Sequence, residues 1–229
     1  MAQTYKFGKD GTWATKKGST LAYSDTNNAF KPLPFSFERN SIATRVNKEG
    51  LIEVVGNDIP RIDYTDSTEG ALLLENSSTN LITYSEDYST WNKLNGGTGS
   101  LPIVTSNNSI SPDGTQNADK IVLNKGNALS NSDYSLIRLD YGSSDINGTS
   151  SVYLKSDVNV DIEISSDDIS YKTISVTTKW KRFEVSDATS DRLSIGLRGT
   201  EPSTSNATIY AWGAQLEVGN LSSYIPTNG

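Results

Sequence analysis

The sequence predicts an all-β fold, a two-sheet sandwich preceded by an extended N-terminal arm, and three observations predict it. Val158, Val160, Ile162 and Ile164 alternate with Asn159, Asp161 and Glu163, and Leu193, Ile195 and Leu197 alternate with Arg192, Ser194, Gly196 and Arg198. Each of these strands then has one dry face and one wet face, as in antiparallel sheets buried on a single side. Turn dipeptides at Asp113-Gly114, Lys125-Gly126 and Asn147-Gly148 separate further short apolar runs. No helical period and no solenoid or propeller repeat runs through the chain.

Taken in order, residues 1–34 read as an extended attachment arm, broken by Gly8, Gly11, Gly18 and the Pro32/Pro34 pair. Trp13, Phe30 and Leu33 in the arm, with Phe35 and Phe37 just beyond it, are too sparse to build a core. They are expected to dock on another surface, a partner subunit first. Residues 35–81 read as a strand-rich linker, with strands at Leu51–Val55, Arg61–Tyr64 and Ala71–Glu75 separated by turn-forming stretches. Residues 82–229 form the sandwich, with further strands expected at Ala118–Leu123, Tyr134–Leu139, Ser150–Lys155, Lys172–Val176, Trp180–Val185 and Thr208–Val218. One short helical turn over residues 83–92 is the most helix the pattern allows.

Composition removes whole classes of function. With 27 acidic against 20 basic residues the 229-residue chain carries a net charge of -7, and its basic residues form no run. A phosphate-neutralising groove for nucleic acid and attraction to an anionic membrane are therefore not expected. No stretch approaches the ~20 apolar residues that a membrane-spanning helix needs, and no apolar segment follows the charged start, so no secretory leader is expected. Zero cysteines and zero histidines leave only carboxylates, Lys and Tyr for chemistry. Acidic residues are too plentiful for any pair to stand out as a hydrolytic couple, and no catalytic residue or enzyme activity is expected. Asp113-Gly114 and Asp119 carry oxygen donors that suit a structural Ca²⁺, but no Asp-x-Asp-x-Asp-Gly loop frames them, so no metal or other cofactor is expected. Ser165-Ser166-Asp167-Asp168 reads as a hairpin tip.

Several motifs stand in a fixed order: Arg61-Ile62-Asp63-Tyr64; Leu73-Leu74-Glu75; Thr79-Asn80-Leu81-Ile82-Thr83-Tyr84-Ser85-Glu86-Asp87-Tyr88-Ser89 followed by Trp91; Ser111-Pro112-Asp113-Gly114 with Ala118-Asp119-Lys120; Ser150-Ser151-Val152-Tyr153-Leu154-Lys155; Lys179-Trp180-Lys181-Arg182-Phe183; Gln215-Leu216-Glu217-Val218-Gly219; and Ser223-Tyr224-Ile225-Pro226-Thr227. Spanning about Phe37 to Thr227, they resemble a bacteriophage structural-protein family of tail fibres, tail-associated proteins and head spikes. In that family an extended segment leads into a jelly roll like that of carbohydrate-binding modules. The resemblance implies a virion surface protein, commonly a homotrimer, assembled in the host cytoplasm and anchored by its arm to a capsid or tail protein. It implies a jelly-roll β-sandwich like that of sugar-binding modules without fixing a sugar; the sandwich is expected to present an outward face for weak binding of host-surface glycans, with trimerisation multiplying weak single-site affinities. Because the chain ends soon after Thr227 and only an arm precedes the shared region, a head fibre or decoration role is favoured over a long tail fibre. Two alternatives stand beside it: a purely structural capsid decoration protein, and a carbohydrate-binding module of a secreted bacterial system.

For the glycan face, parity nominates Trp180, Arg182 and Tyr153. Trp180 and Arg182 are out of phase with Phe183 and Val185, and Tyr153 is out of phase with Val152 and Leu154, so each should point away from the core, where a sugar ring can stack. Trp212 shares parity with Tyr210, Ala214, Leu216 and Val218 and is expected inside the core.

Overall fold

The computed structural model describes residues 5–6, 13–16, 18–24, 29–32, 37–127, 130–142 and 146–229. They divide into two compact units, Met1–Ser77 with Ser222–Tyr224, and Ser78–Leu221 with Ile225–Gly229. Every regular element among the described residues is a strand.

The first unit holds β1 (Tyr5–Lys6), β2 (Ala14–Lys16), β3 (Ser19–Ser24), β4 (Ala29–Pro32), β5 (Ala43–Val46), β6 (Ile52–Val55), β7 (Ile62–Asp63) and β8 (Ala71–Leu72). Residues expected as an arm thus pair with one another, with β3 antiparallel to each of β1, β2 and β4. A hairpin of β5 and β6 turns where the Asn47 side-chain oxygen accepts the N–H groups of Glu49 (3.0 Å) and Leu51 (2.9 Å). Of the expected docking residues, Phe37 is half-buried with the Arg39 guanidinium 6.0 Å from its ring centre. Phe30 lies in β4, where only the backbone is described, and Leu33 and Phe35 lie outside the described residues.

A buried cation organises this unit. Arg61, 7% exposed, donates from Nη1 to Glu75 Oε2 (2.7 Å), Ser223 Oγ (3.0 Å) and the Thr44 carbonyl (3.0 Å). Glu75 in turn accepts the backbone N–H of Ser223 at 2.8 Å, and Thr44 Oγ1 donates to the Tyr224 carbonyl at 2.5 Å. A guanidinium taken out of water is tolerable only with its donors matched, and here the acceptors come from three separated stretches of chain.

The second unit is the jelly-roll sandwich, made of β9 (Asn92–Gly96), β10 (Ser100–Ser109), β11 (Ala118–Asn124), β12 (Tyr134–Asp140), β13 (Ile146–Ser156), β14 (Val160–Ser165), β15 (Lys172–Val176), β16 (Lys181–Ser190), β17 (Arg192–Arg198) and β18 (Asn206–Val218). One sheet runs β10-β11-β18-β13-β16 and the other β15-β14-β17-β12-β9, all neighbours antiparallel. The alternation seen in the sequence sets the inner faces: Ile162 and Ile164, Leu193, Ile195 and Leu197 meet Ile121, Leu123, Val152, Leu154, Ile209 and Leu216 in one continuous core. β9 and β10 were not anticipated, since Asn-Lys-Leu-Asn-Gly and Ser-Leu-Pro-Ile-Val-Thr-Ser-Asn-Asn-Ser carry little apolar alternation.

The Thr79–Ser89 motif closes this unit rather than forming a helical turn. Asn80 Nδ2 donates to the carbonyls of Ala214 (3.1 Å) and Ile225 (2.9 Å), and its Oδ1 accepts the N–H groups of Ile82 and Leu216 (both 3.1 Å). Ser85 Oγ accepts from Thr227 N at 3.0 Å, and an isolated bridge joins Tyr84 to Asn228. Trp91 and Tyr88 pack with ring centres 4.8 Å apart against the core.

Trp212 departs from the position its parity predicts. Trp212 is buried, at 1% exposure, but it is the Cα partner of Tyr153 and their rings meet edge-to-face at 5.6 Å, on the face of the sheet away from the core. A register shift separates the Ser151↔Gln215 and Tyr153↔Trp212 pairs, with Gly213 at φ 63° between them. The extra residue inverts parity, so Ala214 and Leu216 face inward while Trp212 does not.

Candidate functional site

Two surfaces of the sandwich gather aromatic and polar side chains. The first contains the residues nominated by parity. Tyr153 and Arg182 are Cα partners across β13 and β16, with the guanidinium 5.6 Å from the Tyr153 ring centre and Nε donating to Ser151 Oγ at 3.0 Å. Trp180 immediately precedes β16, donates from its indole N–H to the Ile110 carbonyl at 2.9 Å, and carries the Lys155 ammonium 5.1 Å from its ring centre. The same ammonium lies 5.2 Å from Tyr210. The three nominated side chains lie on or beside one sheet, with one cation over the ring of Trp180 and another over that of Tyr153. Trp13, nominated for docking, donates to the Glu69 carbonyl at 2.7 Å and borders a separate recess of the first unit with Arg45, Glu53 and Tyr64.

The second surface is a cleft of about 280 Å³ on the outer face of the β15-β14-β17-β12-β9 sheet. Glu163 comes from the wet face of β14, Arg198 from the end of β17, and Asp168, Ile169 and Tyr171 from the β14–β15 turn. Asn131, Thr200 and Glu201 close it from neighbouring loops. Tyr134, the Cα partner of Arg198, supports its floor: the Arg198 guanidinium lies 5.5 Å from the Tyr134 ring centre and 5.0 Å from that of Tyr171. The Tyr134 ring in turn needs a glycine beneath it, because a Cβ at Gly96 would stand 2.3 Å from Tyr134 Cε1.

The turn that carries Tyr171 is fixed by acids. Asp167 Oδ1 accepts the N–H groups of Ile169 and Ser170, both at 2.8 Å, which presents the 85%-exposed Ile169 at the rim. Asp168, at φ 59°, binds Arg138 (2.7 Å), Arg192 (3.1 Å), Ser194 Oγ (2.5 Å) and the Tyr171 hydroxyl (3.0 Å). Burial alone would raise the Asp168 carboxyl, yet the donors from Ser194, Arg138, Arg192 and Tyr171 hold it below its ordinary value. Tyr171 shifts the other way, since burial and the Asp168 carboxylate raise its phenol and keep it a neutral donor. Asp168 is therefore an ionised anchor.

Glu163 differs. It is 8% exposed, its Oε2 is buried without a hydrogen-bond partner, and burial pushes its carboxyl up to about 7 against the pull of Lys125 and Arg198. Lys125 is fully buried and donates from Nζ to the Pro202 carbonyl.

The acids weighed for Ca²⁺ have other employment. Asp119 accepts the N–H groups of Tyr88 (3.0 Å) and Asn107 (2.9 Å), and Asp113 accepts from Ser111, Thr115 and Asn117. No grouping of three His, Cys, Asp or Glu suited to a metal occurs among the described residues.

The sequence had already put Glu163 and Arg198 on wet faces. Their meeting was not visible, because it depends on β14 and β17 lying side by side with Glu163 opposite Gly196. Nothing in the local pattern flags Tyr171, a turn residue, or Tyr134, the first residue of its strand.

No family model matches the chain, and no curated protein matches it. Solved structures similar to it include a family 11 carbohydrate-binding module from Clostridium thermocellum in complex with a β-1,3-1,4-mixed-linked tetrasaccharide, at 10% identity and a TM-score of 0.44 over 66% of this chain and 100% of that one. The family 11 module of a cellulosomal cellulase of Clostridium thermocellum is similar at 13% identity and a TM-score of 0.43, over 65% of this chain and 98% of that one. A variant of a family 29 carbohydrate-binding module is similar at 13% identity and a TM-score of 0.40, over 62% of this chain and 94% of that one.

Proposed function

We propose that the protein binds glycans in the Tyr134–Tyr171–Arg198 cleft. The observation that carries this reading is the make-up of the cleft itself. Two tyrosine rings fix a guanidinium, and the carboxyl, amide and hydroxyl groups of Glu163, Glu201, Asn131 and Thr200 line one recess beside the apolar Ile169. A sugar offers C–H faces and many hydroxyls, and is held by this mixture of apolar surface with fixed planar donors and acceptors. At about 280 Å³ the recess sits at the small end of ligand sites, which suits weak binding of a short stretch of glycan.

In the finer reading the cleft serves a bacteriophage virion appendage anchored through the N-terminal region. The ordered motifs that resemble tail-fibre and head-spike proteins support it. A glycan-binding module of a secreted bacterial system would use the cleft in the same way, and mass spectrometry of purified phage particles separates the two: the virion reading expects this chain among the particle proteins, and its absence there favours the module.

Glycan-array binding tests the site. Tyr171→Ala should lower the signal about tenfold or more, equivalent to about 1.4 kcal/mol, whereas Trp180→Ala and Tyr153→Ala should leave it near that of the parent. Binding that survives Tyr171→Ala but is lost on Trp180→Ala would move the site to the opposite sheet.

A further inference from the structure

Arg198 is the cation that lines the cleft, and no ion pair among the described residues takes up its charge. Asp168 is taken up by Arg138 and Arg192, Arg192 also grips Asp191, and Arg138 also grips Asp140. Arg198 makes no ion pair among the described residues, although it lines the recess and has its guanidinium held against two tyrosine rings. A guanidinium so oriented presents parallel N–H groups that match a planar carboxylate. Of the acids in the same recess, Asp168 is already paired and Glu201 is exposed, whereas Glu163 has its Oε2 buried without a partner and feels the Arg198 charge.

Resting on the glycan-binding reading above, we propose that the cleft selects acidic sugars, Arg198 receiving the sugar carboxylate and Glu163 acting as its built-in competitor. While Glu163 is protonated, it leaves the guanidinium to the ligand and can itself donate a hydrogen bond to it. Once ionised, it places a second negative charge beside the ligand carboxylate in a poorly solvated recess and draws on the same cation.

The groups that face Glu163 set where this exchange occurs. Lys125, which follows β11, and Arg198 on β17 favour its ionised form, while burial and Glu201 oppose it, so the carboxyl titrates near 7 instead of 4.5. Asp168 and Tyr171 complete the wall, the first ionised and paired, the second neutral. Acidic-sugar binding is therefore strong on the low-pH side of about 7 and weakens as pH rises through it.

The test is a glycan array carrying matched neutral and carboxylate-bearing sugars, uronates and sialates among them, probed at pH 6 and pH 8.5 with the parent protein, Glu163→Gln and Arg198→Gln. The parent should bind the carboxylate-bearing members preferentially at pH 6 and about tenfold more weakly at pH 8.5. Glu163→Gln should keep that preference with no pH step, and Arg198→Gln should lose it. Retained folding of each variant is read from its thermal transition. Binding to neutral sugars only, or an acidic-sugar signal with the same pH step in Glu163→Gln, overturns this inference and leaves glycan binding in the cleft intact. No binding to any sugar at either pH overturns both.

Discussion

Ile195→Ala should lower the stability of the sandwich by about 3 kcal/mol and its Tm by about 10 °C. Ile195 is fully buried at the middle of β17, with Ile137 of β12 as its Cα partner on one side and Ile164 of β14 on the other. All three side chains point into the space between the sheets. Truncation there removes the transfer energy of three carbon atoms and leaves a cavity that two β-branched neighbours, held by their own strands, cannot refill. Differential scanning calorimetry measures the effect. A loss below about 1 kcal/mol would mean that the inner faces of β12, β14 and β17 are not packed as described.

Glu75→Ala should cost the first unit about 3 kcal/mol, because it strands the Arg61 guanidinium in a site that is 7% exposed. The carboxylate is the charged partner of Arg61 and also accepts Ser223 N and Oγ, so its removal releases three hydrogen bonds together. Amide hydrogen exchange should show faster opening across β5, β6, β7 and β8, with the β11–β18 and β12–β17 pairs of the other unit still protected. Unchanged exchange in the first unit would show that Arg61 is satisfied without Glu75. An Arg61→Met, Glu75→Leu double substitution should recover much of the loss, since an apolar pair of similar size avoids the unpaired charge.

The two charged motif residues also show what the sequence could and could not yield. Arg61, Glu75 and Ser223 stood out as parts of motifs in fixed order, yet their reason is tertiary: stretches far apart in the chain meet at the buried guanidinium of Arg61. Asn80 is similar, its single amide serving three backbone groups of β18 and the C-terminal segment together with the N–H of Ile82. The dry faces of β14 and β17 were legible because period-two alternation follows directly from strand geometry. Where that period is interrupted, reading by parity fails, and the register shift at Gly213 turned Trp212 to the other side of its sheet. Ligand residues were harder still. Glu163 and Arg198 belonged to faces already recognised as wet, but only the neighbouring placement of β14 and β17 makes them one site, and Tyr171 joins it from a turn held by Asp167 and Asp168.

The most direct test of the central claim is a backbone amide NMR titration with a glycan that binds the protein. Shifts should concentrate at residues 131, 134, 163, 168–171 and 198–201, around the Arg198 guanidinium and its two tyrosines. Shifts centred instead on residues 153, 155, 180 and 182, with the cleft silent, would contradict it.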